Sequence, residues 1–312
     1  MLPHRSIGQL EVSVVGLGGN NFGRRLGLDE TRAVVDAVLE SGIDFFDTAE
    51  IYGGGDSERL LGEVLRGRRD QVVLATKFGM TRGGADGEPP GSRPYIRQAI
   101  AGSLRRLETD RVDLYQYHEP DGVTPIEETL GALNELLDEG TVREIGCSNF
   151  SAKQLAESAE VAREKSLRPF ASIQNEYSLL DRRIEAEVIP EAERLGVAVI
   201  PYFPLASGLL TGKYRRGEDA PAGTRLSGRG PVADDQTFDK LEALGRFAAE
   251  RGLEPIDVAI GALAAQPMVA SVIAGATRPE QVRANARAAR WTPSEQDLRE
   301  LDEIFPPGQA SR

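Results

Sequence analysis

Short apolar runs alternate along the chain with stretches in which apolar residues recur every three or four positions. Eight runs of this kind are present, and most of them are rich in β-branched residues. Nearly continuous apolar runs of this length are typical of parallel strands that are buried on both faces. We therefore predict eight parallel strands, at Val14–Leu17, Ile43–Phe46, Val72–Ala75, Val112–Tyr115, Glu144–Cys147, Ala171–Gln174, Val197–Ile200 and Val269–Ile273.

The stretches between these runs predict amphipathic helices. Apolar residues fall on one side of a helix in Thr31–Leu39, Tyr95–Leu107 and Ile126–Leu137. Glycine commonly ends a helix, and four glycines stand at such positions, namely Gly42, Gly140, Gly196 and Gly252. Eight strands with intervening helices in 312 residues predict an α/β fold of the TIM (β/α)8 barrel type, with a doubly wound sheet as the alternative.

Two glycine-rich segments interrupt this rhythm and predict long loops. They are Gly79–Arg93 and Tyr202–Asp235, and each follows a predicted strand. In a barrel both loops would lie at the carboxyl-terminal rim, where active sites form. The chain shows no repeat of fixed period and no interdomain linker, so we interpret residues 1–312 as a single domain.

The composition excludes several classes of protein. The 37 basic and 49 acidic residues give a net charge of −12, which argues against a nucleic-acid-binding face and predicts no nucleic-acid partner. No apolar run approaches the roughly 18–20 residues that span a bilayer, and the first residues lack the apolar segment of a signal peptide. We therefore expect a cytoplasmic enzyme without a membrane partner.

The few cysteines and histidines argue against a metal site. Cys147 is the single cysteine, so neither an internal disulfide nor a cysteine-based zinc site can form. Only two histidines, His4 and His118, are present. We expect no bound metal, and we interpret Cys147 as a small buried strand residue.

Two glycine-rich segments resemble nucleotide-binding motifs but break their spacing. In Gly16–Asn21 the third glycine of a dinucleotide fingerprint would fall on Asn21. Gly208–Lys213 is one residue too short for a phosphate-binding loop, and Tyr214 stands where serine or threonine is required. Neither segment predicts a nucleotide site of these kinds.

Polar side chains that can do chemistry follow three successive predicted strands. Asp47 follows the second strand with Tyr52 shortly beyond it, Lys77 follows the third, and His118 follows the fourth. The carboxyl ends of barrel strands converge on one face. We therefore expect these four side chains to meet in one pocket.

From about Arg5 to Phe305 the sequence resembles the aldo-keto reductase family. The resemblance rests on motifs that occur in the family's order: Gly42–Ala49 with Tyr52–Gly53, Ala75–Gly79, the strand that ends in His118, Ile145–Phe150, Gln174–Ser178, Pro204–Lys213 and Gly275–Gln281. It implies a TIM barrel that binds a nicotinamide cofactor without a Rossmann domain, in agreement with the broken fingerprint. It also places the family's catalytic tetrad on Asp47, Tyr52, Lys77 and His118.

The resemblance implies a role for each member of the tetrad. Tyr52 would give a proton to the carbonyl oxygen as hydride reaches the carbon, and Lys77 would lower the pKa of this phenol from about 10 toward the working pH. Asp47 would pair with Lys77, because an unpaired ammonium in a pocket is costly. His118 would orient the carbonyl and could relay the proton in the oxidative direction.

The resemblance further implies that the cofactor is NADPH. Ser148, Asn149 and Gln174 would hydrogen-bond the carboxamide of the nicotinamide, and Tyr202 would stack on its ring. The remaining assignments are Gly19 and Asn20 near the ribose, Pro204, Leu205 and Ser207 along the pyrophosphate, Lys213 at a phosphate with Arg225 as a further candidate in the same loop, and Gln281 and Asn285 at the adenosine.

The segment Gly275–Pro279 would hold the 2′-phosphate of NADPH. Pro279 suits a first helical turn, and a helix N-terminus that carries Thr277 and Arg278 suits a phosphate. The chain departs from the family pattern at Ala284, where many relatives carry Glu, and at Ala274, which is often Pro. These departures concern the adenine contacts and leave the catalytic residues unaffected.

The resemblance implies an enzyme that reduces an aldehyde or ketone, a small molecule, to an alcohol by direct hydride transfer. Two alternatives stay open: an NADPH-binding, redox-sensing regulatory subunit, and a Schiff-base aldolase that uses Lys77. The family builds its substrate pocket from rim loops, here Gly79–Arg93, Glu119–Thr124 and Tyr202–Asp235, and from the tail. The tail after Phe305 is short, so we expect an open pocket, with Phe22, Tyr52, Met80 and Tyr117 as candidate lining residues.

Overall fold

The computed structural model describes residues 2–80, 87–228 and 231–310. It starts with an antiparallel hairpin that the sequence pattern did not predict, formed by β1 (His4–Ile7) and β2 (Leu10–Ser13). Among the described residues, no helix combines the length and the apolar character that crossing a bilayer requires.

All eight predicted strands are present and form one parallel sheet. They are β3 (Val15–Gly18), β4 (Phe45–Asp47), β5 (Val73–Phe78), β6 (Val112–Tyr117), β7 (Val142–Ser148), β8 (Ser172–Glu176), β9 (Ala198–Tyr202) and β10 (Val272–Gly275). From β3 to β9 each strand pairs with the next along the chain, and β10 pairs with β3. The amide of Val199 on β9 donates to the carbonyl of Met268 at 2.8 Å. The carbonyl of Val199 accepts the amide of Ala270 at 2.9 Å. These bonds close the sheet into a TIM barrel and exclude the doubly wound alternative.

Ten helices are described, and most of them follow the strands in the βα order of the barrel. They are α1 (Leu28–Glu40), α2 (Asp56–Val64), α3 (Arg93–Leu107), α4 (Ile126–Asp138), α5 (Ala152–Lys165), α6 (Val188–Leu195), α7 (Asp235–Glu250), α8 (Pro255–Ala264), α9 (Pro279–Ala288) and α10 (Glu295–Ile304). The four predicted helix stops are confirmed. Gly42, Gly140, Gly196 and Gly252 all follow helix ends with φ between 66° and 75°, which glycine adopts without steric cost.

The hairpin closes the amino-terminal end of the barrel. Ile7, Leu10 and Val12 are buried together with barrel residues such as Phe45 and Leu114. Arg5 donates through Nη1 to the carbonyl of Gln266 at 2.8 Å. These side chains complete the apolar core inside the barrel. Burying one aliphatic side chain of this size contributes about 1.5–3 kcal/mol to the stability of the fold.

The described parts of the two predicted loops occupy the opposite, carboxyl-terminal rim. Residues 81–86 of the first loop and 229–230 of the second lie outside the described residues, and α3 begins at Arg93. The second loop contains a short 3-10 helix at Ala206–Thr211 and ends where α7 begins at Asp235. Asp121, in the loop after β6, accepts the amides of Gly91 and Thr124 at 2.8 Å each. The loops after β5 and β6 are therefore fixed to each other.

Candidate active site

Three neighbouring strands deliver the predicted tetrad to one end of the barrel. Asp47 is the last residue of β4, Lys77 lies near the end of β5, and His118 directly follows β6. Tyr52 begins a short turn, Tyr52–Gly55, in which Gly53 has φ of 62°. A side chain at Gly53 would approach the carbonyl of Phe22 to 3.0 Å, so this tight turn requires glycine.

Lys77 is the centre of the site and is fully buried. Its ammonium donates to Asp47 Oδ2 at 2.5 Å, to the Thr48 carbonyl at 2.9 Å and to Tyr52 Oη at 3.4 Å. Burial lowers the pKa of Lys77, but the charges and hydrogen bonds of Asp47 and Tyr52 outweigh burial and raise it. Lys77 therefore stays charged beside the phenol.

The pKa of Tyr52 moves in the direction opposite to the one expected. Burial raises the pKa of the phenol, Lys77 opposes this, and the Asp47 carboxylate adds to the increase, so the pKa lies above its usual value. The expected decrease rests on the Lys77 ammonium alone. The loss of solvent around the Tyr52 phenol has the larger effect and raises the pKa. The phenol is consequently protonated at neutral pH, which is the form that donates a proton.

His118 lies beside Tyr52, with ring centroids 5.9 Å apart and planes at 83°. Burial, together with the positive charge of Lys77, lowers the pKa of His118 to about 3. The imidazole is therefore neutral. Its Nδ1 is buried and has no hydrogen-bond partner among the described residues.

The second carboxylate oxygen of Asp47 is bound by two buried amides. Oδ1 accepts from Gln174 Nε2 at 2.9 Å and from Gln116 Nε2 at 3.2 Å. Gln116 was not singled out from the sequence. The available signal is a polar residue between Tyr115 and Tyr117 in an otherwise apolar strand.

Hydrogen bonds also fix the predicted carboxamide-binding residues. Ser148 Oγ donates to the Gln174 carbonyl at 2.8 Å, and Asn149 Nδ2 donates to the His118 carbonyl at 3.0 Å. Tyr202 Oη donates to Asn149 Oδ1 at 2.8 Å. The ends of β7, β8 and β9 therefore present a connected polar surface beside the tetrad.

These groups surround a cavity of about 800 Å³. The residues predicted from sequence that line it are Asn20, Asp47, Tyr52, His118, Ser148, Asn149, Gln174, Tyr202, Pro204, Leu205, Ser207, Lys213, Arg225, Gly275, Thr277, Arg278, Gln281 and Asn285. The structure thus brings nearly all of them together. The substrate-side candidates Tyr52 and Met80 also line the cavity.

Four predicted residues lie elsewhere. Lys77 is buried behind Tyr52, and Gly19 packs behind the wall, where its amide donates to the Asp47 carbonyl at 2.8 Å. The substrate-pocket predictions for Phe22 and Tyr117 are wrong. Phe22 is fully buried in the core, and Tyr117 stacks on Phe78 with centroids 5.1 Å apart, facing the helices.

The cavity collects positive charge in a protein of net charge −12. Among its described lining residues, five are basic, namely Arg24, Arg25, Lys213, Arg225 and Arg278, whereas Asp47 is the only acidic one. Asp47 is already paired with Lys77. Arg24 and Arg25 were not singled out from the sequence, because a basic pair in a loop after a strand is indistinguishable from solvated surface.

The loop after β9 shapes one wall of the cavity through unusual backbone conformations. Phe203, Ala206 and Ser207 have φ of 53°, 45° and 59°, a region that costs residues other than glycine about 1–2 kcal/mol each. The Arg225 guanidinium lies 4.6 Å from the centroid of the Phe203 ring. Strain of this kind is concentrated at ligand sites, where the surrounding structure sustains it.

The N-terminus of α9 forms the far wall. Arg278 precedes the helix with extended backbone, and Pro279 is its first residue. Gln281 Oε1 accepts the amide of Thr277 at 2.7 Å, which fixes the loop before the helix. The carbonyl of Arg278 accepts the amide of Gln281 at 3.1 Å, whereas no hydrogen bond or ion pair joins its side chain to the described residues. Its exposed guanidinium is therefore available to an anion.

Metal-ligating side chains are scattered in the described part of the chain. Across residues 2–80, 87–228 and 231–310, no three or more metal-ligating side chains are grouped together. Cys147 is buried, as interpreted from sequence, and burial raises the pKa of its thiol well above the usual value. Such a thiol is not ionised at neutral pH.

Comparison with known proteins identifies the family. The family model described as "Aldo/keto reductase family" matches residues 14–305. The chain belongs to the aldo/keto reductase family. This membership confirms the resemblance derived from the motifs and supports an oxidoreductase activity.

Curated relatives align with this aldo/keto reductase along most of their length. The "Uncharacterized oxidoreductase YrpG" of Bacillus subtilis (strain 168) is 36% identical over 95% of this chain and 93% of its own. "Aldo-keto reductase YhdN" of the same organism is 34% identical over 95% and 91%. A "Probable voltage-gated potassium channel subunit beta" of Oryza sativa subsp. japonica is 36% identical over 92% and 91%.

Proposed function

We propose that this protein is an NADPH-dependent reductase that converts an aldehyde or ketone to an alcohol by direct hydride transfer. The observation that carries the proposal is the buried chain of Asp47, Lys77 and Tyr52, which opens into a cavity lined by five basic side chains. The first part suits proton donation to a carbonyl, and the second suits a cofactor with several phosphates.

The residues that would hold the nicotinamide come from the ends of β7, β8 and β9. Gln174 and Asn149 present amide groups to the cavity, and the Tyr202 ring is fixed through its bond to Asn149. When bound, NADPH supplies the hydride. The polar groups of this wall would orient the carboxamide so that the ring faces Tyr52.

The phosphates would lie along the basic part of the cavity. Lys213 follows the strained loop, and its Nζ lies against Gly208. A Cβ at Gly208 would be 2.4 Å from Lys213 Nζ. We assign Lys213 and Arg225 to the pyrophosphate, and Thr277 and Arg278 at the α9 N-terminus to the 2′-phosphate. A helix N-terminus and a guanidinium together favour a doubly charged phosphate.

Tyr52 would donate its proton to the carbonyl oxygen as hydride reaches the carbon, leaving an alcohol and a phenolate. Lys77 would stabilise that phenolate from 3.4 Å, and Asp47 holds Lys77 in place. The neutral His118 beside the Tyr52 ring would orient the carbonyl by a hydrogen bond. General acid catalysis of this kind contributes about 10²–10⁴-fold.

The aldolase alternative has little support in the geometry. A Schiff-base lysine must be neutral and reachable, whereas Lys77 is fully buried, charged and bound to three acceptors. The regulatory alternative draws on the name of the Oryza sativa relative, a probable potassium channel subunit. The complete tetrad favours an enzyme, and a small carbonyl compound remains our proposed partner, with the cytoplasm as its proposed location.

Parallel fluorescence titrations with NADPH and NADH, followed by a panel of aldehydes and ketones monitored at the cofactor absorbance, test the proposal. We expect tighter binding of NADPH than of NADH, and cofactor oxidation that depends on the carbonyl compound. Binding without turnover on the whole panel would favour the regulatory reading. Failure to bind either cofactor would overturn the proposal, and borohydride trapping of a substrate on Lys77 would then support the aldolase.

A further inference from the structure

Gln116 is a buried polar residue to which the mechanism above gives no role. It lies on β6 and is fully closed to solvent, between Tyr115 and Tyr117, which pack into the core between barrel and helices. Side chains alternate across a strand, so Gln116 points to the barrel interior. An uncharged amide at this depth is costly unless its hydrogen bonds are satisfied.

The hydrogen bonds of Gln116 fix its amide in one orientation. Its Oε1 accepts from Gln174 Nε2 at 3.2 Å, while its Nε2 donates to Asp47 Oδ1 at 3.2 Å. Rotating the amide by 180° would set two NH₂ groups against each other and the amide oxygen against a carboxylate. The orientation of the Gln116 amide is therefore fixed by a donor at its oxygen, Gln174 Nε2, and an acceptor at its nitrogen, Asp47 Oδ1.

The same contacts fix Gln174. Its Nε2 donates both to Asp47 Oδ1 at 2.9 Å and to Gln116 Oε1, which uses both hydrogens of the group. The group of Gln174 left for a ligand is Oε1, an acceptor, because Gln174 lines the cavity and this atom accepts no hydrogen bond from the described residues. A carboxamide NH₂ on a ligand is the matching donor.

We propose that Gln116 is a positioning residue that orients Gln174 toward the cofactor and holds the Asp47 carboxylate against Lys77. The inference rests on the proposed function, since it assigns the nicotinamide carboxamide to Gln174. Gln116 does not line the cavity among the described residues, so it acts through its two neighbours. It thereby links the cofactor wall to the Lys77–Tyr52 pair through one shared carboxylate.

Gln116→Met tests this role, because methionine keeps the length of the side chain and removes the amide. Ser172→Ala is the matched control. Ser172 is fully buried in the same layer of the barrel, and its Oγ has no hydrogen-bond partner among the residues that the structure describes. The Ser172 and Gln116 side chains both lie next to Gly146. A Cβ on Gly146 would lie 2.4 Å from Ser172 Oγ and 3.2 Å from Gln116 Cγ.

The first readout is binding, measured by titration with NADPH and with 2′-phospho-ADP-ribose, which lacks the nicotinamide. We expect Gln116→Met to weaken NADPH about threefold to tenfold, the value of one hydrogen bond, and to leave the truncated nucleotide unchanged. Ser172→Ala should change neither affinity. Equal weakening of both ligands, or no weakening of either, would overturn the role in orienting Gln174.

The second readout is the pH profile of alcohol oxidation, in which Tyr52 must act as a base. Without the Gln116 donor, the Asp47 carboxylate loses a hydrogen bond that disperses its charge and is held less firmly against Lys77. More of its negative charge then acts on Tyr52 and raises the pKa of the phenol further. We expect the half-maximal rate to move to higher pH by about one pH unit in Gln116→Met and to stay in place in Ser172→Ala. An unmoved profile would contradict the link to Asp47.

Gln116→Glu supplies a conditional rescue. Its carboxylate would repel Asp47 at neutral pH, whereas the protonated carboxyl can donate to Asp47 as the amide does. The rate of carbonyl reduction by Gln116→Glu, relative to the wild-type protein, should therefore rise as the pH falls. The same ratio for Gln116→Met should stay flat, because Tyr52 is protonated in both proteins over this range. A flat ratio for both variants would contradict the proposal.

Failure of this inference differs from failure of the proposed function. If the wild-type protein neither binds NADPH nor oxidises it, the proposed function fails and the inference fails with it. If the wild-type protein does both and Gln116→Met behaves as Ser172→Ala does, the inference alone fails. Should Gln116→Met not fold, Gln116→Asn, which keeps an amide one methylene shorter, serves for the same pair of titrations.

Discussion

The Lys77 ammonium lies 2.5 Å from the Asp47 carboxylate at a place where Lys77 is fully buried and Asp47 is 3% exposed. Each charge has lost its water and depends on the other. Breaking a buried pair by removing one partner costs about 3–5 kcal/mol, because the remaining charge is left uncompensated. The pair that serves the chemistry is thus also a condition for the fold.

Asp47→Asn should lower the free energy of unfolding by about 3–5 kcal/mol, measured by urea denaturation. The double variant Asp47→Asn with Lys77→Met should be the more stable of the two, since it leaves no unpaired ammonium. As a control, Glu127→Gln removes an exposed partner of Lys165 at 2.7 Å and should leave stability nearly unchanged. A double variant less stable than Asp47→Asn would contradict this account of the pair.

Tyr52→Phe removes the proposed proton donor and keeps the ring. We expect carbonyl reduction to slow at least about 100-fold, while the NADPH dissociation constant stays within about twofold, because no binding contact is assigned to the hydroxyl. Steady-state kinetics and titration measure the two quantities. Tyr117→Phe, which removes a hydroxyl outside the cavity, is the control. Full turnover by Tyr52→Phe would assign the acid to another residue.

Arg278→Ala should separate the two nicotinamide cofactors. A charge-assisted hydrogen bond contributes about 1.5–3 kcal/mol, so we expect NADPH to bind about tenfold to 100-fold more weakly and NADH to be unaffected. Arg283 provides the comparison, because it lies on the same helix and pairs with Glu40 at 3.6 Å. Equal losses for NADPH and NADH would place Arg278 away from the 2′-phosphate.

His118 predicts a loss of stability in acid. Its pKa in the folded protein is lowered to about 3, whereas an unfolded histidine titrates near 6.5. Between these values the unfolded state binds more protons, so stability falls as the pH decreases, by at most about 1.4 kcal/mol per pH unit. The slope from His118 vanishes only well above about pH 6.5, where the unfolded histidine is neutral as well. Urea denaturation at pH 7 and pH 5 should show a smaller decrease for His118→Asn than for the wild-type protein. Identical decreases would refute the buried neutral imidazole.

Glu50 anchors the base of the loop that carries Met80. Its Oε1 accepts from the Gly79 amide at 2.8 Å and from Tyr95 Oη at 2.6 Å, and burial raises the pKa of this carboxyl. Glu50→Ala should raise the KM for the carbonyl substrate about tenfold without changing the affinity for NADPH, since Met80 lines the cavity and is our proposed substrate contact. Glu50→Gln keeps an acceptor and should restore most of the loss. A change in NADPH affinity alone would mean that this anchor serves the cofactor.

The strands and the tetrad could be predicted because both depend on local pattern and on one geometric rule. Apolar runs mark buried strands, and barrel strands deliver their carboxyl ends to one rim, so Asp47, Lys77 and His118 had to converge. The hairpin of β1 and β2 could not be predicted in this way. Its strands have four residues each and mix polar with apolar side chains, and their burial depends on the barrel they close.

Other errors arose from weighing single residues without their surroundings. Tyr117 is a candidate lining residue of the substrate pocket in the sequence analysis, but it does not line the described cavity. The alternation of a strand already excludes this candidate, since Gln116 faces the barrel interior and its neighbour must face the helices. The direction of the Tyr52 pKa could not be derived from sequence, because it depends on how much solvent the phenol loses relative to the attraction of Lys77.

The hairpin at the amino-terminal end also governs how molecules reach the site. Ile7, Leu10 and Val12 fill the barrel floor, so the described cavity opens at the loop rim and not through the sheet. Two ligands that share one entrance cannot pass each other. If the nicotinamide rests on Gln174, which is 2% exposed, the carbonyl compound must follow it in and its product must leave first. The closed amino-terminal end of the barrel would then determine the order in which cofactor, substrate and product enter and leave the site.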